Sequence, residues 1–226
     1  MIQAQPGPVI PQRYLDAIGN RDPIESAAKA SKRFRHLIEG LSVKELEWHP
    51  APGKWSIKQI LAHMADGEVM IGSRLRLVAA MDRPTIVGYD QDAFVANLCV
   101  DDLTAEQWLE AFRSMRALNV ALLSRLPKDS FNRIGVHTER GEESLSQMVF
   151  MYAGHDIIHE QQIAAQVLAY KADRKARHAA EALARHAEAE AAAKAKQDKK
   201  HSKKQAKAEK PKKAKAKETK AKASKP

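Results

Sequence analysis

Two histidines four residues apart, His155 and His159, are the pair in this chain best spaced to do chemistry together. An α-helix turns once in about 3.6 residues, so side chains at i and i+4 stand one above the other. Two imidazoles so placed can grip one divalent ion, with metal–nitrogen distances of about 2.0–2.1 Å. They can equally be hydrogen-bonded polar rings on an amphipathic face. His63, in the middle of a second helical pattern, tips the reading toward metal. It borders an apolar stripe through Ile60 and Met64, so three polar rings would face one core. Uncompensated, they would be costly there, and a shared ion accounts for all three. Gly67 lies one turn beyond His63. A glycine inside a helix costs about 1 kcal/mol against alanine, and it would leave room for an ion, a ligand or a close helix contact. Gln162 continues the histidine line at i+3 from His159, placed to bond a ligand or a group behind the ion.

The remaining histidines do not compete. His36 and His49 have no partner at metal spacing, His137 sits in a glycine-containing connector, and His178, His186 and His201 fall in a polar tail. Cys99 stands alone, which excludes an intramolecular disulfide and a cysteine-rich zinc site. No general base stands out. Asp66, Glu68, Asp156 and Glu160 adjoin the histidines but read as a solvated helix face. Arg74 and Arg76 read as surface residues, although an acidic substrate could meet them. Trp48 and Trp55 read as packing for a connector.

Four helical segments must position these groups. Asp22 before Pro23 is an N-cap followed by proline in the first turn, where a missing N–H costs nothing. It opens a helix to about Gly40. Ser56 with Gln59, Thr104 with Gln107 and Ser144 with Gln147 have capping-box form, in which side chain and backbone satisfy each other's free N–H groups. They open helices carrying Ile60, Leu61, Met64, Leu75 and Val78; Trp108, Phe112, Met115 and Leu122; and Leu145, Met148, Tyr152, His155, His159 and Gln166 at spacings of three and four. A short helix is expected around Asp92–Leu98. No strand pattern of quality is visible, so the expected fold is all-α, a four-helix bundle.

Charge divides the chain. Residues 1–170 hold 18 Lys+Arg against 21 Asp+Glu, and residues 171–226 hold 20 against 7, so the net +10 belongs to the tail. We read residues 1–21, with three prolines, as a flexible N-terminal arm, residues 22–170 as the metal-binding bundle, and residues 171–226 as a Lys/Ala-rich tail, partly helical and then disordered. No stretch reaches the roughly 18 apolar residues of a membrane span, and no signal peptide is evident, so a cytoplasmic location and no membrane partner are expected.

Three segments together resemble the DinB/YfiT-like superfamily of metal-binding four-helix proteins. They are PGKWSIKQILAHMADGE at 52–68, GEESLSQ at 141–147 and YAGHDIIHEQQI at 152–163. The likeness covers about residues 22–170 and leaves the tail outside. It implies an up-down-down-up bundle, a metal triad of His63, His155 and His159, zinc or nickel as occupant, and a homodimer. It further implies a metal-dependent enzyme acting on a small molecule. A small-thiol S-transferase in detoxification or stress is the first expectation, with a low-molecular-weight thiol as partner, and a metal-dependent hydrolase is the alternative. A different class of function rests on the tail: a flexible polycation can bind nucleic acid weakly and non-specifically by counterion release.

Overall fold

The computed structural model describes the backbone of residues 10–222 and side chains as far as residue 204. The chain divides into two units, Met1–Lys171 and Ala172–Pro226.

The first unit begins with α1 (Gln12–Ile18), inside the stretch expected to be a flexible arm. That expectation is corrected for these residues. Ile18 is buried in a cluster with Ala153 and Ile157, and Gly154 lets the Tyr14 backbone come so close that a Cβ there would lie 2.3 Å from the Tyr14 carbonyl oxygen. Then follow α2 (Pro23–Ile38), α3 (Val43–Leu46) and α4 (Ile57–Ala80). The connector beyond α4 holds β1 (Thr85–Ile86) and α5 (Gln91–Asn97). Next come α6 (Ala105–Leu123), β2 (Ile134–His137), β3 (Gly141–Ser144) and α7 (Leu145–Lys222).

The helix starts form as their sequences dictate. Asp22 accepts from the Glu25 N–H. Each capping box closes, at Ser56 with Gln59, Thr104 with Gln107 and Ser144 with Gln147. A fourth, Ser42 with Glu45, opens α3 inside what reads as plain connector.

Cross-helix contacts give the directions. Arg116 of α6 donates to the Ala27 carbonyl and Arg35 pairs with Glu106, so α2 and α6 are antiparallel. Glu68 meets Arg116 and Gly72 abuts Asn119, so α4 and α6 run parallel. Tyr152 reaches Glu68 and Gln166 reaches Trp55, so α7 runs against α4. The four long helices are therefore an up-down-down-up bundle. Its core joins Phe34, Leu61, Met64, Leu109, Phe112 and Ile163, with Phe34 and Phe112 edge to face at 5.4 Å. Each such side chain contributes about 1.5–3 kcal/mol by leaving water.

The helical pattern hid a small sheet. β1 pairs in parallel with β2, with Ile86 opposite His137, and β2 pairs antiparallel with β3. Strands of two to four residues are too short to show a period of two, which is why the connectors carry no strand signature. Ile86 belongs to a second core cluster with Leu75, Val78, Leu123 and Leu145.

In the second unit the backbone is helical as far as Lys222. No described side chain there is buried. Alanine, lysine and glutamate favour helix intrinsically, and Asp173 pairs with Arg177 one turn on.

Candidate metal centre

α4 and α7 together build the site. Their antiparallel packing brings His63 opposite His155 and His159, and the i,i+4 spacing on α7 aligns the last two. The His155 Nε2 lies 3.1 Å from the Nε2 of His63 and 3.1 Å from that of His159. The three ligand atoms all lie within 4.8 Å of one another. Four donors at 2.0–2.1 Å around an ion stand about 3.3 Å apart, so the spacing suits one shared cation.

The state of the rings suits it as well. Burial pushes the His63 imidazole down to about 3, assisted by His159. Burial likewise pushes His159 down to about 4, against the support of Gln162, and holds His155 well below its ordinary value, with His159, His63 and Arg116 adding to the effect. All three are neutral near pH 7, the form that binds metal. His159 Nδ1 donates to Gln162 Oε1 at 2.9 Å. That bond places the proton on Nδ1 and leaves the Nε2 lone pair facing the other two rings. These residues fit a divalent ion.

Other groups close in around the triad. The Trp55 ring lies 4.9 Å from that of His63, so Trp55 walls the site as well as packing its connector. Tyr14 of α1 stands 6.3 Å from His155, and the positive charge of Arg13 reaches both α7 histidines. Gly67 is buried, yet a Cβ placed on it would meet nothing within 4 Å. Of the three roles open to it, a close helix contact is excluded and open space beside α4 remains.

The carboxylates near the triad do not form a solvated face. Glu68 is 2% exposed and Asp156 0%. Arg116, also 2% exposed, binds both. Its Nε and Nη2 donate to Glu68 Oε1 at 2.8 and 2.6 Å, and its Nη1 donates to Asp156 Oδ2 at 2.5 Å. Asn119 donates to Glu68 at 2.9 Å, and the Tyr152 hydroxyl donates to it too. Full burial pushes Asp156 up to about 6 against the pull of Arg116. This network ties α2, α4, α6 and α7 together one residue from His155. Glu160 pairs with Arg33 at 2.8 Å.

Asp66 is different. It is half-buried, and its Oδ2 is out of contact with water and has no hydrogen-bond partner. Burial pushes its carboxyl up. Asp66 sits one turn beyond His63 on α4. The sequence showed Asp66 in place; its orphaned oxygen depends on tertiary burial and has no sequence signal.

The other singled-out residues lie elsewhere. His36 is exposed beside Glu39, His49 binds the Lys54 carbonyl, and Trp48 packs on Tyr170. His178 and His186 are exposed beside Glu181 and Glu190, His201 is exposed, and so is Cys99. Arg76 binds Asn119 and the Gly72 carbonyl. Arg74, read as a surface residue, is buried.

The profile of the DinB superfamily matches residues 27–163. This chain belongs to the DinB superfamily. Among its relatives is a protein of Oceanobacillus iheyensis named "Putative metal-dependent hydrolase OB0413", 26% identical over 57% of this chain and 74% of its own length. One of Bacillus cereus, named "Putative metal-dependent hydrolase", is 27% identical over 57% of this chain and 73% of its own length. A solved structure shares the fold with a TM-score of 0.59 at 19% identity, covering 72% of this chain and 93% of the other. It is described as "YfiT from Bacillus subtilis is a probable metal-dependent hydrolase with an unusual four-helix bundle topology". The names these relatives carry favour hydrolysis over the small-thiol transfer expected first. Among the described residues no helix is long and apolar enough to cross a membrane.

Proposed function

We propose that this protein is a metal-dependent hydrolase of a small molecule, with zinc or nickel on His63, His155 and His159. The observation that carries the reading is three neutral imidazoles converging on one point, with the unpartnered oxygen of Asp66 one turn away. Three protein ligands leave positions open for water and substrate, the pattern of a catalytic site rather than a closed structural one. Imidazole donors suit zinc and nickel. A divalent ion bound there would bring the pKa of a bound water toward neutrality and polarise a carbonyl or phosphoryl oxygen.

The chain's own residues supply the rest. Asp66 takes the proton from the attacking water at its free Oδ2 and passes it to the departing oxygen or nitrogen. Its burial raises the proton affinity this work needs. Gln162 holds His159 in the tautomer that presents Nε2. Trp55 keeps bulk water from the His63 side, and the space at Gly67 admits substrate beside α4.

The test is turnover of chromogenic carboxylic esters, amides and phosphoesters by the full chain loaded with zinc or nickel. Hydrolysis that a chelator abolishes, and that Asp66→Asn lowers by about 10²–10⁴-fold, is the expected result. No turnover in any class, or an Asp66→Asn variant as fast as the wild type, would refute the proposal.

A further inference from the structure

A second polar cluster lies where α4 passes the small sheet, apart from the metal centre. Arg74 is 9% exposed. Its Nη2 donates to the Val87 carbonyl at 2.6 Å, and its guanidinium stands over the Tyr89 ring at 5.5 Å. Its Nε is buried and has no acceptor. Among the described residues no carboxylate lies within ion-pair distance of it. Buried charges are ordinarily paired, so a guanidinium left like this implies a missing partner.

His137, on β2, is 2% exposed. Its Nδ1 accepts from the Glu139 N–H at 3.1 Å. The ring proton therefore sits on Nε2, and that atom too is buried without a partner. Burial lowers the imidazole, so the ring is a neutral donor. The two free donors share one neighbourhood. His137 pairs across the sheet with Ile86, and Arg74 holds the carbonyl of the next residue, Val87. Arg140, Glu143 and Glu139 act electrostatically on both. Of these, Arg140 and Glu143 bond each other, and the Glu139 carboxylate lies over Gly88. What remains unmatched is two buried N–H donors, one of them on a guanidinium.

Position gives the cluster a use. His63, Gly67, Met70 and Arg74 are spaced four, three and four residues apart, so they share one face of α4. Eleven residues of helix place Arg74 about 16 Å beyond His63. Tyr89 is within electrostatic reach of both Arg74 and Asp66.

We propose that Arg74 and His137 form a carboxylate-binding subsite that holds an acidic end of the substrate, far from the bond that reacts. The reacting end of this assignment rests on the hydrolase reading above; the subsite itself does not. A carboxylate has two acceptor oxygens for the two donors and a sign opposite to that of Arg74. A phosphate dianion would bring excess charge beside Glu143 and Glu139, which disfavours it.

The test is ¹⁵N NMR of the zinc-loaded full chain, following the Arg74 Nε–H and the His137 ring during titration with acetate and, separately, inorganic phosphate. Both signals should shift saturably with acetate in the millimolar range, with phosphate weaker. Arg74→Gln and His137→Phe should each weaken acetate at least tenfold. Signals unmoved by acetate would mean that water alone meets these donors and would overturn the proposal. Equal binding by the variants, or phosphate binding as tightly as acetate, would overturn it too. The titration involves no turnover, so it stands or falls separately from hydrolysis: acetate binding here by a protein that hydrolyses nothing would refute the hydrolase reading alone.

Discussion

The Nδ1 of His159 donates to the side-chain oxygen of Gln162 at 2.9 Å, one turn further along the same helix. That bond fixes which nitrogen of His159 faces His63 and His155. Gln162→Leu removes it while keeping an apolar shape of similar size. The expected result is about 10–100-fold weaker metal affinity with the fold intact, measured by competition with a chromogenic chelator. Unchanged affinity would show that packing alone orients the ring.

Acid should act through the same rings. In an unfolded chain a histidine titrates near 6.5, whereas folding holds His63 at about 3 and His159 at about 4. The unfolded state therefore takes up protons first. The stability these neutral rings contribute is present above about 6.5 and is lost as pH falls through about 4 toward 3. Thermal melts of the metal-free protein should show a fall in Tm over that window. The fall should be shallower in His63→Ala/His159→Ala; an equal fall in both would assign it to other groups.

Arg116 is the hub between the ligand helices. Arg116→Met leaves Glu68 and Asp156 as buried carboxylates without a cation, at a cost of about 3–5 kcal/mol. Urea unfolding should show the loss.

The two glycines of the site predict opposite outcomes. Gly67→Ala adds a methyl into open space and should stabilise α4 by about 1 kcal/mol while raising KM, because the methyl occupies substrate room. Gly154→Ala sets a Cβ against the Tyr14 backbone and should cost about 1–3 kcal/mol. Chemical denaturation and steady-state kinetics on the two variants check this.

The triad lies wholly within the first unit, so a chain ending at residue 171 should keep its metal. The same truncation tests the proposed affinity of the basic residues 171–226 for phosphate backbones. The full chain should retard DNA at low salt and release it as salt rises, and the truncated chain should not retard it.

Much of this was legible in the sequence because it is local. Capping boxes at Ser56, Thr104 and Ser144 act within four residues. The apolar spacing of α4 and α7 likewise writes the facing of His63, His155 and His159 into each helix separately. What was hidden is what only assembly creates. Glu68 and Asp156 look like surface acids until Arg116, 48 residues from one and 40 from the other, is buried between them. Asp66 looks like the same kind of residue, and only its lack of a partner distinguishes it. The N-terminal helix has no strong apolar period; it is held by Ile18 and by the close approach at Gly154. The sheet is built from strands too short to announce themselves.

Elemental analysis of the purified full chain, beside His63→Ala/His155→Ala, tests the central claim most directly. About one equivalent of a transition metal in the wild type and almost none in the variant is the predicted result. Absence of metal from the wild type even after incubation with zinc and nickel, or equal metal in both proteins, would contradict it.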